Sequence, residues 1–244
     1  MRQRLDPIAA MEKPCGICHG MAVIEGDRMP HRALIERRPW LLASIVLAVA
    51  WVWLRGSTLP GLYLIVLKGA PLALLAVYAV LRHRGNDTRS LAGMLGLEAV
   101  GSALWYDVPV IGLNAMLIAF LIGLSLFLMH RRAVMDGGRK VAALVLTLGT
   151  PLLCFFAADR AGVGVPLFLG LALGGMAASA WISTFPRSRV GLGAALVVAG
   201  VVLEIAAAGG NAILAMVAWP LFYIGNVVLA TGVTGELRIR GEGF

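Results

Sequence analysis

Three side chains that ionise in water stand inside apolar runs of this 244-residue sequence: Lys68, Glu98 and Glu204. Each would cost roughly 2.5–3.5 kcal/mol at the centre of a membrane helix, so such residues face a bundle interior and mark candidate catalytic sites. Lys68 lies nine residues into its apolar run, and Glu98 lies eight residues into the next. At about 1.5 Å rise per residue both fall near mid-depth. Antiparallel neighbours can bring them together, so a Lys68–Glu98 ion pair is expected. It would either staple two helices or serve acid–base chemistry. Glu204 lies close to the end of its run. Snorkelling or a loop-end hydrogen bond competes there with a catalytic role.

Around the acids, helical spacing picks out companions. Ser102 follows Glu98 by four residues, and Gly200 precedes Glu204 by four, so each shares a face with its acid. Ser102, Asn114, Tyr223 and Asn226 are the polar candidates for substrate contact. The competing reading for an isolated intramembrane Asn or Tyr is a helix–helix hydrogen bond.

The elements that must position these residues follow from composition. The chain is 59% hydrophobic and 14% charged, with mean hydropathy +0.86. Soluble proteins run near half apolar and about a quarter charged. Eight apolar stretches stand out, at 40–55, 59–81, 90–106, 110–129, 141–157, 163–184, 190–208 and 211–233. About 20 residues cross the hydrocarbon, and the alternating pattern of a barrel is missing. The expectation is an all-α polytopic membrane protein, a bundle of about eight transmembrane helices. Residues 1–38 are expected to be a basic, flexible cytoplasmic segment, 39–235 the membrane domain and 236–244 a short cytoplasmic tail. The starting methionine is also open to question, since Met29 would give a compact N-terminus. The third and seventh stretches, "GMLGLEAVGSALW" and "GLGAALVVAGVVLEI", each combine small residues with one glutamate, a pattern that fits a 4 + 4 parallel repeat. Gly170 and Gly174 are spaced for close helix contact.

Basic residues set the orientation. Of 21 Lys and Arg, seven precede the first stretch, three follow the second, four follow the fourth, two follow the sixth and two lie in the tail. The opposite loops hold Arg55 and Arg160. The positive-inside rule then places both termini in the cytoplasm, in an inner membrane. The net charge of +8 is thus a topology signal. The cations are scattered over loops without an aromatic-rich module, which argues against nucleic acid as a partner.

"CGICH", Cys15 to His19, fits the c-type haem pattern. Haem attachment needs the translocated side, however, and the charge count puts this segment in the cytoplasm. Zinc would need a fourth ligand, with His31 the nearest histidine. Chance is the leading reading. No metal is assigned to the spans, and no cofactor is implied. GxSxG, HExxH and P-loop motifs are missing from the sequence.

Four stretches carry a family resemblance over roughly residues 36–235: "LKGAPLALLAVYAVL" from Leu67, "GMLGLEAVGSALWY" from Gly93, "GLGAALVVAGVVLEI" from Gly191 and "WPLFYIGNVVLATG" from Trp219. In order and wording they resemble the YhhN family of eight-span membrane proteins, whose characterised members are lysoplasmalogenases. Lys68, Pro71, Tyr223 and, by similarity, Asn226 match the family's positions. The sequence departs from it near Gly101 and Ser102, and again near Gly200 and Val201, where the family carries aspartates. A family histidine is also missing near Gly123 and Leu124. The resemblance implies a hydrolase that splits the vinyl ether bond of a lysophospholipid-type substrate into a fatty aldehyde and a glycerophospho head group. Membrane lipids would be its partners. Such a bond is labile to protonation at its outer carbon, so the protein must supply an acid and a positioned water. Glu98, one turn from a missing aspartate, is either a relocated acid or the remnant of a lost site. A second division gives Lys68 to the lipid phosphate and Glu98 or Glu204 to acid–base work. The rival classes are a small transporter or lipid-binding protein with a midplane Lys/Glu site, and a structural membrane protein without chemistry.

Overall fold

The structure, a computed structural model, describes residues 38–57, 60–82, 85–132, 137–164 and 166–241. The CGICH segment, His31, Met29 and His83 lie outside them. Eight α-helices occupy the described residues: α1 (Arg38–Leu54), α2 (Gly61–Arg82), α3 (Asn86–Ala103), α4 (Pro109–Met129), α5 (Gly137–Ala161), α6 (Leu167–Ile182), α7 (Leu192–Ala207) and α8 (Ala212–Gly241). One helix falls on each apolar stretch of the sequence. A π-helical turn, Arg187–Gly191, leads into α7 and was not expected. It prolongs that helix, so that Arg187–Ala207 forms one apolar segment of 21 residues.

Five helical segments are long and apolar enough to cross a membrane: α2, α4, α5, the π-turn with α7, and α8. By length and composition this is an integral membrane protein. α1 and α6 are apolar but shorter. α3 opens on the polar run Asn86–Arg89 and carries Glu98, which lowers its hydropathy below that of its neighbours. Large apolar side chains such as Leu62, Val110 and Phe168 point outward, as a lipid-facing surface requires.

The helices pack as a closed ring in the order α1, α2, α3, α4, α6, α5, α7, α8, and α8 returns against α2 and α1. α5 touches α7, whereas α1 and α3 do not pack on each other among the described residues. A 4 + 4 repeat would have made those two pairs alike. The tightest seam joins α7 and α8. A Cβ built on Gly200 would stand 2.6 Å from the Phe222 backbone, and one on Gly193 would stand 2.7 Å from the Leu229 nitrogen. These glycines are two turns apart on one face of α7, so the two backbones can approach only without side chains there. Gly174 likewise meets the Leu146 carbonyl of α5.

One end of the bundle is clasped by polar contacts. Arg132 Nε donates to the Ser183 carbonyl at 3.1 Å, and Arg240 Nη2 donates to the Thr184 carbonyl at 3.2 Å. Arg240 also pairs with Glu236, one turn earlier, at 3.1 Å. These bonds carry α8 on to Gly241, through much of what the sequence marks as a tail. His130 Nε2 lies 3.3 Å from Asp87 at the same end.

Candidate functional site

At the other end, Lys68 and Glu204 meet. Lys68 Nζ donates to Glu204 Oε1 at 2.8 Å, and both side chains are largely buried. The ammonium also lies 4.7 Å from the centroid of the Tyr106 ring and 5.8 Å from that of Trp51, a partial aromatic cage. Tyr106 interacts with the Glu204 carboxylate as well. Lys68 therefore pairs with Glu204, which corrects the expected pairing with Glu98. The direction each side chain takes around its helix decides the contact. The neighbouring Gly69 packs directly on α3, where a Cβ would stand 2.8 Å from the Ala99 carbonyl. Lys68 sits about 100° around α2 from Gly69, and Glu98 about 100° around α3 from Ala99, so neither is aimed along that contact. The long lysine chain instead runs to the rim and reaches α7.

Glu98 is wholly buried, and neither carboxyl oxygen has a partner in hydrogen-bond geometry. Its polar neighbour is Asn226 on α8. Asn226 Nδ2 donates to the Phe222 carbonyl at 3.3 Å, while its Oδ1 is buried and unbonded. A carboxylate in such surroundings, without cation or donor, is costly.

Tyr223 belongs to a different network. Its hydroxyl lies 2.7 Å from Ser44 Oγ, and Ser44 Oγ donates to the Pro71 carbonyl at 2.6 Å. A serine has one hydroxyl hydrogen. With that hydrogen on Pro71, Tyr223 is the donor to Ser44. Pro71 and Tyr223 are thus joined through a residue that the sequence reading passed over. A serine in a short apolar helix was the available signal. Trp219 stacks on Tyr223 with ring centroids 5.5 Å apart, and Trp51 packs on Trp219 at 4.3 Å. This aromatic column runs from the Ser44 network to the Lys68–Glu204 pair.

Two cavities flank the column. A small one, about 10 Å³, is lined by Ser102, Glu204, Trp219 and Phe222 together with apolar neighbours. A lateral groove of about 400 Å³ lies between α1 and α8, with Ala48, Val52, Trp219, Pro220, Tyr223 and Ile224 in its wholly apolar wall. Trp219 has one side in each. Ser102 donates to the Ala99 carbonyl at 3.2 Å and faces the small cavity. Asn114 stays outside the cluster: it is exposed and donates to the Val110 carbonyl of its own helix at 2.7 Å. Arg55, which the sequence offers only as a topology signal, stands at the rim, where it donates to the Ala215 carbonyl at 3.0 Å and lies 5.7 Å from the Trp51 ring centroid.

The structure thus groups Lys68, Glu204, Ser102 and Tyr223 around one aromatic column, with Glu98 and Asn226 buried as neighbours between α3 and α8. The described residues hold no group of three or more His, Cys, Asp and Glu side chains suited to a metal. No protein-family model, curated protein or solved structure matches the chain.

Proposed function

We propose that this chain is an eight-span membrane hydrolase of the lysoplasmalogenase type, with both termini in the cytoplasm. The eight described helices and the bias of Lys and Arg to alternate connecting segments of the sequence support that topology. α1, with 17 residues, and α6, with 16, are short for a span, which local thinning of the bilayer accommodates.

The observation that carries the reading is Trp219, which walls both the lateral apolar groove and the cavity holding Glu204. A single-chain lipid entering from the bilayer would lay its chain in the groove and bring its polar end to the ion pair. Lys68 is already neutralised by Glu204. Arg55, whose charge no carboxylate pairs among the described residues, is the cation left at that rim for a lipid phosphate.

The chemistry then divides between the two acids. Glu98 gives its proton to the outer vinyl carbon, and the oxocarbenium forms at the carbon attached to oxygen. Water adds there, and Glu204 takes the proton it releases. The hemiacetal collapses: the carbon–oxygen bond to the head group breaks, that oxygen receives the proton from Glu204, and the hemiacetal hydroxyl proton restores Glu98. One water is consumed per aldehyde and alcohol formed. Tyr223, Ser102 and Asn226 line or support this path.

The test is release of free aldehyde from lyso-vinyl-ether lipids by the purified full chain in nanodiscs. Aldehyde in proportion to protein supports the reading. No release from either ethanolamine or choline head groups overturns it, and lipid retained intact would leave a lipid-binding protein in its place.

A further inference from the structure

The small cavity beside the ion pair is matched to one occupant. Its volume, about 10 Å³, is close to the least that holds a water molecule, which also needs two to four polar partners. Three groups on its wall have hydrogen-bonding capacity still unused. Trp219 is 2% exposed, and its Nε1–H is buried without an acceptor. An indole nitrogen can only donate. Ser102 uses its hydrogen on Ala99, leaving its oxygen lone pairs to accept. Glu204 accepts from Lys68 at Oε1 and also faces Tyr106, and the four lone-pair sites of a carboxylate leave it room for a further donor. Met116, Gly200, Val201 and Phe222 complete an apolar surround. One donor and two acceptors are the complement of a single water, which accepts once and donates twice. Such a water also satisfies the orphaned indole N–H, and buried polar groups are rarely left unpaired.

We propose that Trp219, Glu204 and Ser102 form a single-water site, and that its water is the one consumed in the hydrolysis. Trp219 Nε1–H donates to the water oxygen, and the water donates to Glu204 and to Ser102. The hydrolytic role rests on the reading of the preceding section; the site itself does not. In this arrangement Trp219 is a positioning residue. It turns the water so that a lone pair is free for the oxocarbenium carbon while a hydrogen points at the Glu204 carboxylate, which accepts that proton as the new carbon–oxygen bond forms.

Two readouts test this separately. In full-length protein with ¹⁵N-labelled indoles in nanodiscs, the Trp219 Nε1–H signal, assigned by its loss in Trp219→Phe, is expected to show a cross-peak to long-lived water. A resolved Trp219 signal with no such cross-peak overturns the site. Ser102→Val, placed on a different helix, is expected to keep the indole signal and remove the water cross-peak; a cross-peak that survives overturns the assignment of the site to this cavity. For turnover, Trp219→Phe keeps an aromatic ring but removes the N–H together with the pyrrole half of the indole. It is expected to lower kcat for aldehyde release by roughly tenfold or more with KM within about twofold, as loss of a group that acts on the reacting water would. An unchanged kcat overturns the hydrolytic role. A wild type with the water cross-peak but without aldehyde from any lipid overturns that role together with the hydrolase reading, while the cross-peak still decides the site.

Discussion

Lys68 on α2 donates to Glu204 on α7 across 2.8 Å, which ties the second described helix to the seventh. The pair is largely removed from water, so its members depend on each other. Removing one partner leaves an unpaired buried charge, at about 3–5 kcal/mol, whereas replacing both with apolar residues is often near neutral. Lys68→Met and Glu204→Leu are each expected to lower resistance to unfolding by SDS, and the double variant to recover most of the loss. Additive losses in the double-mutant cycle would show that the contact contributes no coupling.

Glu98 is expected to matter for turnover more than for folding. Glu98→Gln keeps the shape and removes the transferable proton. Aldehyde release should fall by roughly 10²- to 10⁴-fold, the usual contribution of a general acid, with thermal stability little changed. Full activity in Glu98→Gln would assign the acid elsewhere.

Ser44 links Tyr223 to Pro71, so the two hydroxyls act as one unit. Tyr223→Phe, which loses one bond, should lower stability by about 1 kcal/mol, and Ser44→Ala, which loses two, by about 2 kcal/mol. Combined, they should cost clearly less than the sum, because either one breaks the shared bond. Strict additivity in unfolding measurements would count against a shared bond.

The α7–α8 seam gives a contrast between glycines. A Cβ on Gly200 would stand 2.6 Å from Phe222 backbone atoms, whereas one on Gly96 in α3 meets nothing within 4 Å. Gly200→Ala is expected to destabilise by about 1–3 kcal/mol through forced separation of the helices. Gly96→Ala should be neutral or stabilising, since alanine is the better helix former. Equal melting temperatures for the two variants would contradict this packing.

The helices were largely legible in the sequence, because apolar runs bounded by charges and turn residues leave little choice in a bilayer. Each of the eight stretches coincides with one described helix to within a few residues, except that α8 runs eight residues past its stretch, to Gly241. The contacts were much less legible. Distance along a helix fixes depth, and depth made Lys68 and Glu98 look like partners. Which face each residue presents depends on packing, and Gly69 against Ala99 turns both side chains away from that contact. By position Glu204 suits a snorkelling group near a loop end; it is the ion-pair partner because Lys68 itself reaches for the rim. Trp219 and Ser44 escaped notice for a related reason. A tryptophan or serine in an apolar run has no periodic signature, and only the meeting of α1, α7 and α8 gives it a role.

The Ser44–Tyr223 bond spans 179 residues of sequence, from the first described helix to the last. α1 therefore leaves the ribosome long before the residue that completes its polar contact exists. Until α8 is made, Ser44 has the Pro71 carbonyl of α2 but not the tyrosine, and the Trp51 ring lacks Trp219 as its neighbour. The ring of helices can close only once α8 has been made. A chain cut short before α8 would expose the unfinished edges of α1, α2 and α7 to lipid, where cellular surveillance of membrane proteins can tell it from the finished molecule.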